Sequence, residues 1–298
     1  MKNIIEPVPA NLLEQELTSD KFVRKTNYGD NKIYIFDQHS APNLMREVGR
    51  LREYTFRSAG GGTGKALDID KFDVAKIPYQ QLIVWEPRDK KIVGGYRYFI
   101  CNQAEKDENG EYILATSRLF KFSEKFKNEY LPYMIELGRS FVQPEYQSKN
   151  NPRQGIFALD NLWDGLGALT VNHPQIRYFF GKVTMYPNFD KKARNMILYF
   201  MDIYFNDDEK LVELLKPIDL EFDHQELSAI FDGKNYHKDY KTLLRKVRER
   251  GESLPPLINA YMNLSPTMKV FGTSINPHFG NAEETAIMIS IKDINSTK

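Results

Sequence analysis

Two apolar, β-rich runs in this 298-residue chain carry charges where the buried face of a strand should be, and nothing else in the sequence constrains the fold as much. The first is KIVGGYRYFI, Lys91–Ile100. Alternation puts Val93, Gly95, Arg97 and Phe99 on one face and Ile92, Tyr96 and Ile100 on the other. Both faces are largely apolar, so this strand is expected at the centre of a sheet. Arg97 is then buried and needs a carboxylate partner. The second run is MIELGRSFV, Met134–Val142. Strict alternation sends Glu136 and Arg139 to opposite faces, and a bulge at Gly138 would bring both to one side.

The remaining segments supply partners for these strands. Gln81–Glu86 is expected to pair with Lys91–Ile100 across the turn Pro87–Lys90. Further strands are expected at Lys32–Phe36, Ile176–Met185, Met268–Gly272 and Thr285–Ile291. A helix is expected over Pro42–Arg57, with Pro42 in its first turn and Ser40 as its cap. Others are expected over Gln154–Asn172, Asp190–Phe205, Glu209–Lys216 and Tyr240–Arg250. Strands interleaved with helices argue an α/β or α+β fold with a mixed sheet. No repeat or linker divides the chain. It reads as one domain over 1–298, with an N-terminal extension at 1–41 and a helical insertion at 206–255.

Composition excludes several classes. With 41 Lys+Arg against 40 Asp+Glu the net charge is +1, so no whole-molecule field draws nucleic acid. The single cysteine, Cys101, excludes an internal disulfide and a cysteine-rich zinc site. None of the five histidines forms H-E-x-x-H, and no metal is expected. The glycine run Ala59–Lys65 fails the P-loop pattern at Ala59 and Ala66, and fails the dinucleotide pattern at Lys65; it reads first as a flexible loop, whose four glycines could also hinge a lid. No run of about 18 apolar residues is present, and the first residues hold acids and prolines where a secretory signal needs an apolar core. The expected compartment is the cytoplasm, with a peripheral contact to the inner membrane face left open.

The charges in the core strands have company. LDIDKFD supplies Asp68, Asp70 and Asp73, and the helix before it carries Arg52 and Arg57. Arg52, Asp70, Asp73, Arg97, Glu136 and Arg139 could form one buried network. Taken singly, each is better explained as a structural ion pair or a surface charge; together they carry more weight, because three of the six sit in strands expected to be core.

The order and spacing of these residues resemble a known family. Arg52-x-x-x-Phe56, Asp70-x-x-Asp73, Arg97 in a G-x-x-R strand and Glu136-x-x-Arg139 in ELGRSFV look like the acyl-homoserine-lactone synthases. They look still more like the related ornithine-lipid and glycine-lipid N-acyltransferases of the GNAT (N-acetyltransferase-like) superfamily. The similarity runs from about Pro42 to the C-terminus and is nearest to the glycine-lipid type. It implies a mixed, splayed sheet flanked by helices. It also implies transfer of a long, often 3-hydroxylated acyl chain from acyl carrier protein to the α-amino group of a small amino acid, with no tightly bound cofactor.

Carried onto this chain, the resemblance makes Glu136 the general base, acting through a water. Arg97 and Arg139 would act beside it. Arg52, Asp70 and Asp73 would complete the charged network that orders the N-terminal lid and positions the acceptor, with Phe56, Ser140 and Phe141 lining the substrate. The superfamily's compact pyrophosphate loop is replaced here by the longer VQPEYQSKNNPRQG, which favours a carrier-protein donor over acetyl-CoA. Arg153, Gln154 and Gly155 could still hold the pantetheine phosphate. Phe141, Phe157, Trp163, Phe179, Phe180 and the stretch MILYFMDIYF are candidates for an acyl tunnel, although aromatic stripes are more often plain core. The basic segment Lys238–Arg250 reads as a solvated helix face or as a dock for an acidic carrier protein or anionic lipid. An acetyl-CoA-dependent acetyltransferase, a lactone-forming signal synthase and a non-catalytic acyl-binding protein are the alternative functions.

Overall fold

The computed structural model describes residues 1–147, 157–218 and 224–295. In chain order the elements are α1 (Ala10–Glu16), β1 (Phe22–Lys25), β2 (Lys32–Phe36), α2 (Pro42–Ser58), β3 (Gln80–Glu86), β4 (Lys91–Ile100), β5 (Phe120–Phe122), β6 (Met134–Val142), α3 (Ala158–Asn172), β7 (Tyr178–Met185), α4 (Lys191–Phe205), β8 (Val212–Leu214), α5 (His224–Ile230), α6 (Tyr236–Glu249), α7 (Pro256–Met262), β9 (Lys269–Asn276) and β10 (Ala282–Ser290). They divide into two compact units, Met1–Gln103 with Ile135–Ile176, and Ala104–Met134 with Arg177–Lys298. Helices accompany strands in both, so the α/β (α+β) class read from the sequence holds. Among the described residues no helix is long and apolar enough to cross a membrane.

In the first unit the strands run in the order β1-β2-β3-β4-β6, each antiparallel to its neighbour. β4 is buried on both faces over Ile92–Phe99, as a central strand must be. Helix α3 lies on β3 and β4, and α2 buries Leu44, Met45, Val48, Leu51 and Phe56 along one face. Gly94 is required where β4 meets β6: a Cβ there would sit 2.3 Å from the Phe141 carbonyl oxygen, a backbone atom that cannot step aside.

Two expectations change here. Ser40 does not cap α2. Its hydroxyl accepts the Asp37 N–H (3.2 Å), and the N-cap position, Ala41, has no capping side chain. The cap comes from α1 instead: the Glu16 carboxylate accepts the N–H groups of Asn43 (3.0 Å) and Leu44 (2.8 Å). An acid at a helix N-terminus both satisfies orphan donors and suits the dipole, wherever in the chain it originates. The glycine loop is also tied down. Gly60, Gly62 and Gly64 take left-handed backbone, and the loop folds around buried Glu53, which accepts the N–H groups of Thr63 (3.0 Å) and Gly64 (2.8 Å). Burial alone would raise the Glu53 carboxyl, but Thr63 and Arg57 hold it below its ordinary range. The N-terminal extension runs along this loop, with Lys2 N–H on the Gly64 carbonyl (2.9 Å) and Arg57 on the Lys2 carbonyl (2.7 Å).

In the second unit β7, β10 and β9 form an antiparallel run, and β5 pairs with β8. Phe122, Phe126, Phe180 and Phe271 pack ring against ring under the strands. The aromatic stripe of α4 packs on α6 and its approach, with Phe200 in contact with Phe231, Tyr236 and Tyr240. Phe180 and this stripe are therefore core, the commoner fate of such residues. The helix expected over Glu209–Lys216 is instead the strand β8. Lys210 turns the chain with a φ of 51°, and Val212–Leu214 then finds open ladder positions on β5, so tertiary pairing overrides helical propensity.

Candidate active site

The charged cluster assembles within the first unit from five elements of the chain. Helix α2 brings Arg52, and the loop after it brings Asp68, Asp70, Asp73 and Tyr79. Gln81 and Arg97 come from β3 and β4, and Glu136 and Arg139 from β6. The loop can lie this close to α2 because Gly49 has no side chain; a Cβ there would meet Ile69 Cγ1 at 2.7 Å. Asp68 N–H binds the Gly49 carbonyl (3.0 Å), and the Asp73 carboxylate accepts the Asp70 N–H (3.0 Å), which fixes the acids before any arginine is considered.

A bulge decides the faces. Arg97 pairs with Gly138 and Gly95 with Phe141, so Arg139 and Ser140 together oppose Tyr96. With this extra residue the Arg139 guanidinium reaches Asp68 and Asp70, beside Arg97 and on the side that holds Glu136, which the sequence had offered only on condition of a bulge. It sits one place beyond the expected Gly138: Arg139 itself adopts φ 50°, a conformation costly for a residue with a side chain. The Asp68 carboxylate, 2.7 Å from Arg139 Nε, holds it there, and Asp70 lies 3.8 Å from Nη2.

The other contacts form a chain. Arg52 Nη1 donates to Asp73 Oδ1 (3.2 Å), and Arg97 Nη1 donates to Asp70 Oδ1 (2.9 Å) and Asp73 Oδ2 (3.2 Å). Gln81 receives Arg52 Nη2 on its amide oxygen and donates to Asp73 Oδ1 (3.2 Å). The Arg97 guanidinium lies 5.1 Å over the Tyr79 ring, and the Tyr79 hydroxyl donates to Glu136 Oε2. Phe99 stands opposite Glu136 in the ladder and stacks on Tyr79 at 4.7 Å. Arg52 and Asp73 are 0% exposed, Glu136 1% and Arg97 3%.

Burial tends to raise the carboxyls of Asp70 and Asp73. The arginines outweigh it: Arg97 and Arg139 hold Asp70, and Arg52 and Arg97 hold Asp73, below the ordinary range. Arg97 is buried as well, yet Asp73 and Asp70 keep it firmly protonated. Burial first, and the charge of Glu136 second, push the Cys101 thiol well up, so it stays neutral. Counted by formal charge, the cluster sets three guanidiniums against the four carboxylates of Asp68, Asp70, Asp73 and Glu136. The surplus is one negative charge in a place with almost no water, which an entering ammonium would balance.

Of the residues singled out in the sequence, Arg52, Asp70, Asp73, Arg97, Glu136 and Arg139 are brought together as expected. Ser140 lies in the bulge, buried Phe141 opposite Gly95, and Phe56 one helical turn beyond Arg52 on the buried face of α2. Arg153, Gln154 and Gly155 lie outside the described residues. Gln81, Tyr79 and the part played by Asp68 were not anticipated. Gln81 had a signal, a polar residue directly opposite Arg97 once β3 and β4 are paired. Tyr79 had none.

Comparison with known proteins adds the family. Residues 51–154, the span from α2 past β6, match the acetyltransferase (GNAT) domain. A glycine N(alpha)-acyltransferase of Phocaeicola vulgatus is 52% identical over 298 residues, all of this chain and 91% of the relative. One of Bacteroides thetaiotaomicron is 54% identical over 298 residues, all of this chain and 88% of the relative. The chain belongs to the GNAT superfamily of N-acyltransferases. As a GNAT acyltransferase it takes an acyl thioester as donor and an amine as acceptor. The α/β fold that the resemblance implied is the fold observed, and the cluster lies within the span that the GNAT match covers.

Proposed function

We propose that this acyltransferase moves a long, 3-hydroxylated fatty acyl chain from acyl carrier protein to the α-amino group of glycine, in the cytoplasm, to start an amino-acid lipid. The observation that carries the reading is the buried carboxylate of Glu136, the one carboxyl of the cluster that is not matched, by formal count, with a guanidinium. The names of the two relatives favour glycine. So does the crowding of Phe72, Tyr79 and Phe99 around Arg97 and Glu136, which suits an acceptor without a side chain.

The reaction follows from the chemistry of an amine. The ammonium of glycine has no lone pair, so Glu136 takes one of its protons through a water. The neutral amine attacks the thioester carbonyl, and a C–N bond forms while the carbonyl π pair moves to oxygen. Backbone N–H groups near Leu137–Phe141, where the bulge interrupts the ladder, would meet that oxyanion. Its collapse breaks the C–S bond, and the pantetheine thiolate leaves with the proton that the nitrogen sheds. Arg97 or Arg139 would hold the acceptor carboxylate bidentately; Asp70 and Asp73 keep Arg97 in place, Arg52 anchors Asp73, and Asp68 keeps Arg139 in place. Phe56, Ser140 and Phe141 would line the reacting groups, with Arg153, Gln154 and Gly155 at the pantetheine phosphate.

The carrier protein as donor is supported by helix α6. Its inner side buries Leu243 and Val247, while Arg245 and Arg248 stand exposed. An acidic carrier protein would meet them by charge complementarity. The test offers glycine with 3-hydroxypalmitoyl carrier protein or the matching CoA thioester, and measures N-acylglycine by mass spectrometry. The carrier thioester is expected to give the higher kcat/KM. Reversing the charge of Arg245 and Arg248 should raise the apparent KM for the carrier thioester about tenfold and leave that for glycine unchanged. Equal use of both thioesters, with no effect of the reversal, would refute the carrier-protein donor.

A further inference from the structure

The geometry points to Tyr79 as a positioning residue for the base, one that no sequence pattern marks and no family likeness assigns. The inference rests on the reading of Glu136 as the group that takes the acceptor proton. A glutamate side chain has three rotatable bonds, and a base must present one oxygen to the acceptor in a single direction. The Tyr79 hydroxyl donates to Glu136 Oε2 and so fixes the plane of the carboxylate.

Tyr79 can do this because it is itself held. Its N–H binds the Phe72 carbonyl (2.9 Å), and its carbonyl accepts from Gln81 Nε2 (3.0 Å). Phe99 stacks on one side of the ring at 4.7 Å, Phe72 meets it edge-on at 5.4 Å, and the Arg97 guanidinium lies 5.1 Å from its centre. Asp70 and Asp73, which bind Arg97, belong to the same loop that ends in Tyr79. The loop thus ties two functions together: its acids neutralise the arginines, and its last residue orients the base. The hydroxyl donates to Glu136 and leaves the formal charge count of the cluster unchanged.

Tyr79→Phe removes only the hydroxyl and keeps every ring contact. It is expected to lower kcat about tenfold to hundredfold. The KM for glycine should stay within about twofold, because the acceptor's own contacts remain. Without that hydrogen bond the Glu136 carboxylate loses its fixed direction, so the loss falls on kcat and not on KM. Phe99→Leu is the companion variant: it loosens the same stack and leaves the hydroxyl. A purely structural tyrosine predicts that both variants behave alike. A positioning tyrosine predicts that only Tyr79→Phe lowers kcat at an unchanged KM. The double variant with Glu136→Gln separates this inference from the reading it rests on. If Tyr79 acts through Glu136, adding Tyr79→Phe to Glu136→Gln costs no further turnover. A further loss equal to that of Tyr79→Phe alone would overturn the inference, as would wild-type kinetics of Tyr79→Phe beside a crippled Glu136→Gln. Full turnover of Glu136→Gln alone would refute the base itself, and the role of Tyr79 with it.

Discussion

Glu136→Gln is expected to lower kcat for acyl transfer about 10²- to 10⁴-fold with little change in the thermal midpoint. The substitution keeps the shape of the side chain. The amide oxygen can still accept the hydrogen bond from Tyr79, and Phe99 still faces it across the ladder. What is lost is the only change that matters to the chemistry: an amide cannot take a proton from an ammonium. The residual rate then depends on amine already neutral in solution. It should rise about tenfold per pH unit until that amine is half deprotonated, where the wild-type rate has already levelled. The measurement is kcat against pH for both proteins, with the folding midpoint as control. Wild-type turnover in the variant would remove Glu136 from the mechanism.

Asp73→Asn is expected to destabilise the fold by about 3–5 kcal/mol, the usual cost of breaking a buried ion pair from one side. Asp73 is shared, with one oxygen on Arg52 and Gln81 and the other on Arg97 and the Asp70 N–H. Its loss leaves Arg52, wholly buried, with the Gln81 amide in place of a carboxylate. Total stabilities of about 5–15 kcal/mol make this a large fraction, and the melting midpoint should fall by roughly 10 °C.

The same pairing sets a pH dependence. Asp70 and Asp73 are held below their unfolded value of about 3.9, so their stabilising contribution is complete above that pH and is lost as the pH falls through their folded values. Wild-type protein should therefore lose stability steeply in acid, and Asp73→Asn less steeply. An unchanged midpoint and acid slope in the variant would mean that Asp70 alone satisfies Arg97 and that Arg52 needs no anion.

How much of this was legible in the sequence differs from residue to residue. Arg97, Glu136 and Arg139 announced themselves because charged residues are expensive inside apolar strands and so stand out against them. Their common face could be read only as conditional. Strand alternation flips with a single inserted residue, and whether that residue was Gly138 or Arg139 depended on a contact with Asp68, far away in the sequence. Tyr79 reaches Glu136 only through the register of β3 on β4, of β4 on β6, and the path of the loop before them. None of these is a local property. Glu16 is the same lesson at a helix end: it caps α2 across 27 residues, whereas a search next to the helix finds Ser40, which turns out to close the preceding turn. The strand β8 failed for a related reason, since Val212–Leu214 is extended by β5 and not by its own preference.

The measurement that tests the central claim most directly is a transfer assay with a free choice of acceptor. Purified protein is mixed with 3-hydroxypalmitoyl carrier protein and an equimolar pool of the standard amino acids plus ornithine, and all N-acyl products are identified by mass spectrometry. A single dominant product, N-(3-hydroxypalmitoyl)glycine, is the predicted result. A different or mixed set of acyl amino acids, or a donor thioester left intact, would contradict it.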